Sequence, residues 1–98
     1  MHAERSDRAR ELAATLESAA ARHAALVEIE QLYAASTAPA AALTESAALR
    51  EFGAARGGYA ALARSQRLRL EVERKRIAVT AERRLAAAEL MYLDGGQP

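Results

Sequence analysis

The chain lacks the residues that give many small proteins their strongest local anchors. Its 98 residues include no cysteine, no tryptophan, one phenylalanine and three tyrosines. Without cysteine it can form neither a disulfide framework nor a thiolate metal site, and redox chemistry gives no hint of its compartment. Of the apolar residues, 27 are alanine, a side chain that buries little area. The core is therefore expected to be thin, which favours association between chains.

Long apolar runs are absent as well. No segment approaches the roughly 18 consecutive apolar residues that a transmembrane helix needs. The first residues, MHAERSDRARE, are charged and do not resemble a basic leader followed by an apolar stretch. These features predict a soluble, cytoplasmic protein with no membrane span.

Glycine and proline are few, and they occur only near position 39, at 53–58 and at the C-terminus. Alanine, leucine, glutamate and arginine, all good helix formers, fill Glu4–Ala35 and Ala60–Leu93 without any glycine or proline. Pro39 disfavours helical geometry in the residue before it, and Gly95 can adopt the left-handed conformation that ends a helix. We therefore predict one domain, 1–98, of the all-α class. It comprises helix 1 at about 4–35, a break at 36–40, helix 2 at about 41–93 and a tail at 94–98.

The glycines at 53–58 are the weak point of the predicted second helix. Gly53, Gly57 and Gly58 each cost about 1 kcal/mol relative to alanine in a helix interior. Either a short helix ends there and another begins, or one long helix bends. Because Leu49, Phe52, Tyr59 and Leu62 keep helical spacing across the glycines, the continuous, kinked helix is favoured.

A strand is the competing interpretation for residues 68–73. Leu68 to Glu73 alternate between apolar and charged residues, which is the period of a half-buried strand. Pairing with residues 77–80 would need a tight turn across Arg74, Lys75 and Arg76, which contains no glycine, asparagine or aspartate. Charge pairs four residues apart support a helix instead.

The two helices are expected to form an antiparallel helical hairpin, or coiled coil, with unequal arms and a long second helix. A heptad seam runs along helix 1, and after Leu26 it slips to Ile29 and Tyr33. Its members are Leu12, Leu16, Ala19, His23 and Leu26. Since helix 2 is predicted to extend beyond helix 1, part of its apolar surface is left without an intrachain partner.

Helix 2 has apolar residues on two faces, so we expect it to lie between two neighbours. One stripe, Leu70/Ile77/Ala81/Leu85/Ala88/Tyr92, is assigned to the hairpin. The other is assigned to a protein partner or a second copy, with three arginines seven residues apart as its polar rim. The partner-binding residues are thus predicted to be Leu68, Val72, Val79, Leu90, Arg69, Arg76 and Arg83.

Charge is divided between the two helices. Residues 1–45 carry a net charge of −3 (four arginines, seven acids), and residues 64–84 carry +5 (eight bases, three glutamates). The simplest interpretation is that acidic helix 1 pairs with basic helix 2. Alternatively, the basic stripe binds an acidic partner or, less favoured because no aromatic residues are interleaved, nucleic acid.

No residue pattern indicates catalysis. His23 occupies a seam position, no second histidine lies within helical reach of it, and no serine has a base placed near it by the spacing. We therefore expect no enzyme activity, no catalytic residues, no metal, no cofactor and no small-molecule substrate.

One family resemblance follows from helix 1, the break at 36–40 and the segment LTESAALREFGAARGGYAALARSQRLRLEVERKRIAVTAERRLAAAE. Over roughly Leu12 to Glu89 the chain resembles FliJ/YscO-type stalk proteins of flagellar and type III export. That resemblance implies a small antiparallel coiled-coil hairpin that docks inside a hexameric ATPase ring and on an export gate. The expected function is a non-enzymatic adaptor, stalk or chaperone-like accessory of an export apparatus. The alternative is a small regulatory module whose basic helix 2 binds nucleic acid.

Overall fold

The computed structural model describes residues 2–95, and they form an elongated antiparallel helical hairpin. The first arm consists of α1 (His2–Leu32), a π-helical turn (Tyr33–Thr37) and α2 (Ala38–Gly53), and the second arm is α3 (Tyr59–Leu93). The molecule measures 78 × 25 × 17 Å. Its radius of gyration of 21.7 Å compares with about 13 Å for a compact domain of this length. The predicted all-α hairpin is confirmed, and residues 68–80 are helical.

The predicted break at 36–40 is wrong, because the first arm passes through Pro39 without ending. A proline inside a helix has no N–H to donate and clashes with the carbonyl four residues before it. Here the helix widens just before the proline, and the Ala38 N–H donates to the Tyr33 carbonyl oxygen, five residues back. A π-turn of this kind takes up one extra residue, and Pro39 then lies in the first turn of α2.

The corner of the hairpin lies at residues 54–58, so the glycine cluster separates two helices and the favoured continuous helix is wrong. Ala55 adopts a left-handed backbone with φ of 59°. The Arg56 N–H donates to the Glu51 carbonyl at 2.8 Å, and the Ala55 N–H donates to the Phe52 carbonyl at 3.0 Å. These two bonds form a Schellman cap. A Cβ on Gly57 would lie 3.0 Å from the Glu51 Cβ, so glycine fits this close approach best.

Because the corner lies at 54–58 and not at 36–40, the first arm is the longer one, and the prediction that the second helix extends beyond the first is wrong. The second helix is long, at 35 residues, but the first arm outruns it. Leu16 lies beside Leu90 and Asp94, and residues 3–13 are all exposed. Gly95 has the predicted left-handed conformation, with φ of 80°. The rest of the predicted tail, 96–98, lies outside the described residues.

The arms pack along a regular heptad seam. On α3 its two rows are Leu62, Arg69, Arg76, Arg83 and Leu90, and Ser65, Val72, Val79, Ala86 and Leu93. On the first arm the slip to Ile29 does not occur: Glu30 is half-buried and Ile29 is exposed. The buried apolar residues are Ala19, Leu26, Ala41, Leu62, Val72 and Ala86. Half of them are alanine, so the core is as thin as the composition predicts.

Candidate protein-binding surface

The stripe that was expected to bind a partner lies inside the hairpin. Val72 is only 7% exposed, and Val79 and Leu90 are half-buried. Leu68, at the edge of this set, remains 45% exposed. Because Val72, Val79 and Leu90 continue the heptad rows that begin at Leu62 and Ser65, they face the first arm, whereas Leu68 belongs to neither row. The division of the two stripes is therefore corrected: the predicted intermolecular stripe is the intrachain seam.

The three arginines that were expected to form a polar rim belong to the same seam. Arg69 pairs with Glu45 across the hairpin, and the Arg83 Nε lies 2.6 Å from the Glu30 Oε1. Arg76 is half-buried, and its Nη1 lies 3.8 Å from the Glu73 carboxylate on its own helix. A further cross-arm contact joins Arg22 to Glu89 at 3.9 Å. The first two of these cross-arm contacts join a carboxylate of the acidic first arm to an arginine of the basic second arm, as the simplest interpretation of the charge pattern predicts, and the Arg22–Glu89 contact has the opposite sense.

Glu30 contacts two polar side chains of α3 across the seam. The Thr80 hydroxyl donates to its Oε2 at 2.8 Å, while Arg83 approaches its Oε1. The hydrogen bond from Thr80, followed by the charges of Arg83 and Arg84, holds the pKa of Glu30 below its ordinary value. The Arg83 Nε makes no aligned hydrogen bond, so its contact with Glu30 is an ion pair. The five charged side chains of the seam (Glu30, Glu45, Arg69, Arg76 and Arg83) favour one register over others but add little net stability.

The stripe that was assigned to the hairpin instead lies on the outer face of α3. We call it the outer stripe: Leu70, Ile77, Ala81, Leu85, Ala88 and Tyr92. All six residues are exposed, and Ile77 and Leu85 are exposed by 67% and 69%. They lie on the side of the helix opposite the seam. Soluble monomers seldom leave large apolar side chains aligned in this way, so the outer stripe is the candidate binding surface.

The residues of the outer stripe are recognisable from the sequence pattern, but their neighbour was predicted wrongly, and the carboxylates of the seam were not predicted. Glu30 and Glu45 were overlooked because charged residues are rare in heptad cores. The available signal was spacing: Glu30 follows Leu26 by four residues and precedes Tyr33 by three. The predicted seam residue His23 does lie on the seam, half-buried.

Other features of the described residues are weaker candidates for a site. A groove of about 250 Å³ lies beside the π-turn, between small residues of the first arm and Arg69, Val72 and Arg76 of α3. Within residues 2–95, no three histidine, aspartate or glutamate side chains are grouped so that they could hold a metal ion. None of the helices, as far as the structure describes them, is both long and apolar enough to cross a bilayer.

Comparison of the chain with protein-family models, with curated proteins and with solved structures found no match.

Proposed function

We propose that this protein is a non-enzymatic helical-hairpin adaptor or stalk that binds another protein through the outer stripe. The observation that supports this most is the alignment of four large apolar side chains along the exposed face of α3. The seam supports it as well, because a core of six buried apolar residues, three of them alanine, leaves the hairpin to gain stability from association. The long, narrow shape of the hairpin is compatible with an adaptor that connects two other proteins.

Within that class, we propose an accessory of a flagellar or type III export apparatus, on the basis of the sequence resemblance to FliJ/YscO-type stalk proteins. The hairpin is compatible with such a role in two respects. Its first arm extends beyond α3, which leaves the heptad residue Leu12 exposed where a partner helix could continue the seam. Its outer stripe lies on the other arm, so both arms offer apolar contact.

A direct binding measurement tests this role. The purified chain is titrated with the export ATPase of the same organism, and affinity is compared between wild type and the double variant Ile77→Glu/Leu85→Glu. We expect the double variant to weaken binding at least tenfold. Leu43→Glu is the matched control, because Leu43 is equally exposed, at 70%, but lies on the first arm. Absence of binding by wild type would overturn the export role, and equal losses in both variants would overturn the role of the stripe.

Nucleic-acid binding is the rival proposal, and the ion pairs of the seam count against it. Arg69 and Arg83, two of the three evenly spaced arginines, are already paired with Glu45 and Glu30, and these ion pairs compete with any contact to phosphates. Binding of random duplex DNA is measured at several salt concentrations. A steep fall of log K with log salt concentration would favour the rival.

A further inference from the structure

The four large residues of the outer stripe are placed symmetrically about Ala81. Ile77 and Leu85 lie four residues on either side of it, and Leu70 and Tyr92 lie eleven residues on either side. Arg74 and Ala88 occupy the positions seven residues away. The spacing along the exposed face of α3 is therefore 4, 3, 4 in both directions from the centre. All these side chains are exposed in the single chain.

We propose that the occupant of the outer stripe is a second copy of this chain, packed antiparallel with a two-fold axis beside Ala81. This inference rests on the proposed function of the stripe as a protein-binding surface. In a two-fold interface, residue i contacts residue j of the partner and residue j contacts residue i. A stripe that fits itself in this way must have the same spacing in both directions from its centre. A surface for an unrelated partner is under no such constraint.

The symmetry brings matching side chains to the same height along the helices. Ile77 meets Leu85 of the partner subunit, Leu70 meets Tyr92 of the partner subunit, and Ala81 meets its own copy. These pairs form the layers of an antiparallel coiled coil, in which the two members of a layer come from opposite sides of the seam. The alanines at the centre allow the two helix axes to approach closely at the two-fold axis.

The charges beside the stripe are compatible with this pairing. Arg74 lies opposite Ala88 of the partner subunit, Arg84 opposite Ala78 of the partner subunit, and Glu71 opposite Met91 of the partner subunit. Each of these three charged side chains thus meets a neutral residue, whereas Glu73 lies opposite Glu89 of the partner subunit and weakens the pairing. Like charges placed directly opposite each other would oppose association.

The size of the contact predicts a weak dimer. From Leu70 to Tyr92 the stripe is about 33 Å long, and a helix is about 10 Å wide. Its footprint is therefore on the order of 330 Å², whereas stable interfaces bury about 800 Å² on each partner. We expect reversible association that depends on protein concentration. In dilute solution the chain should be a monomer with the outer stripe exposed.

Sedimentation equilibrium of the full chain over a wide concentration range tests the dimer. Wild type is expected to shift from monomer to dimer as concentration rises. Ile77→Glu/Leu85→Glu is expected to raise the dimer Kd at least tenfold, and Leu43→Glu, on the first arm, to leave it unchanged. Circular dichroism checks that both variants keep the wild-type helix content. A wild-type chain that stays monomeric at all concentrations would overturn the inference, while loss of binding to an export ATPase in the same double variant would leave the proposed function standing.

Cysteine crosslinking tests whether the two α3 helices pack antiparallel. Because the chain has no native cysteine, any disulfide must involve the introduced residue. In the antiparallel dimer, Ala81→Cys lies next to its own copy, whereas Ala88→Cys is separated from its copy by 14 residues, about 21 Å along the axis. We expect a disulfide-linked dimer from Ala81→Cys and none from Ala88→Cys under the same oxidation. Equal crosslinking at both positions would show a parallel pair and overturn the proposal.

Discussion

At the scale of single residues, the corner of the hairpin contains an alanine where a glycine would fit better. Ala55 is the left-handed residue of the Schellman cap that ends α2. The left-handed conformation costs an L-residue roughly 1–2 kcal/mol, and glycine avoids that cost at the expense of greater freedom in the unfolded chain. Ala55→Gly is therefore expected to raise the free energy of unfolding by about 0.5–1 kcal/mol, as measured by urea denaturation.

The neighbouring alanine provides the control for that prediction. Ala54 has φ of −89°, an ordinary value for alanine, so Ala54→Gly brings no relief of strain. It is expected to leave stability unchanged or to lower it slightly. If both substitutions had the same effect, the account of the corner would be wrong.

Glu30 makes the stability of the hairpin depend on acid. Its pKa in the folded chain is lowered by the Thr80 hydroxyl and by the charges of Arg83 and Arg84, so the unfolded chain takes up the proton first. The stabilisation from this carboxylate is complete above its ordinary pKa and is lost as pH falls through its lower, folded pKa. We expect Glu30→Gln to lower the unfolding midpoint at pH 7 and to flatten the part of the midpoint–pH curve that falls below about pH 4.5.

Glu28 is the matched control for this titration, since it is an exposed glutamate two residues away. Glu28→Gln is expected to preserve both the midpoint at pH 7 and the acid slope. Equal flattening in the two variants would show that the slope comes from the general charge of the chain and not from the contact with Thr80 and Arg83.

At the scale of the elements, the π-turn keeps the seam in phase. Seam residues follow strict heptad spacing up to Tyr33 and Thr37, the first and last residues of the turn. After it they fall on Ala41, Glu45 and Ala48, one residue later than heptads predict. The extra residue is taken up by the wide turn, which also accommodates Pro39.

Removing the extra residue together with the proline tests this explanation. Deletion of Ala35 combined with Pro39→Ala restores uninterrupted heptads, so the hairpin is expected to unfold at a midpoint equal to or above that of wild type. Deletion of Ala20 shifts the seam residues before it out of phase and should lower the midpoint clearly. Thermal unfolding followed by circular dichroism compares the two. An equal loss in both variants would contradict the role assigned to the π-turn.

The seam and the outer stripe respond differently to charge. Val72→Glu/Val79→Glu places two carboxylates inside the seam and is expected to lower the free energy of unfolding by at least about 2 kcal/mol. Leu70→Glu/Ile77→Glu has the same spacing on the same helix but lies on the outer stripe, so the monomer should remain about as stable as wild type. Urea denaturation at low protein concentration separates them. The reverse result would return the two stripes to the assignment made from sequence alone.

Composition and periodicity were enough to predict the helices and the hairpin, but not which turn closes it. Pro39 and the glycines at 53–58 both interrupt helices by local propensity. By propensity Pro39 is the stronger interruption, yet the hairpin closes at the glycines. A π-turn accommodates the proline within the first arm, and propensity scales do not include this effect. Once the corner was misplaced, the faces of α3 were exchanged. The alternation of basic and acidic seam residues, Arg83 opposite Glu30 and Arg69 opposite Glu45, would have identified the correct pairing.

At the scale of the whole molecule, function depends on where the corner lies. A corner at 54–58 pairs α3 with the first arm through Val72 and Val79 and leaves the outer stripe exposed. A corner at 36–40 would produce a different pairing and a different surface. The proposed adaptor role and the proposed dimer both require the first arrangement.

Distances between spin labels on cysteine variants test this arrangement most directly. The account predicts that labels at positions 24 and 46, both on the first arm, are about 33 Å apart, because 22 helical residues separate them. Labels at positions 46 and 67, on opposite arms, should lie within about 20 Å, since neighbouring helix axes are about 10 Å apart. A corner at 36–40 with one continuous helix after it predicts the opposite: a short distance for 24–46 and about 31 Å for 46–67. That second result would contradict the fold and, with it, the exposure of the outer stripe.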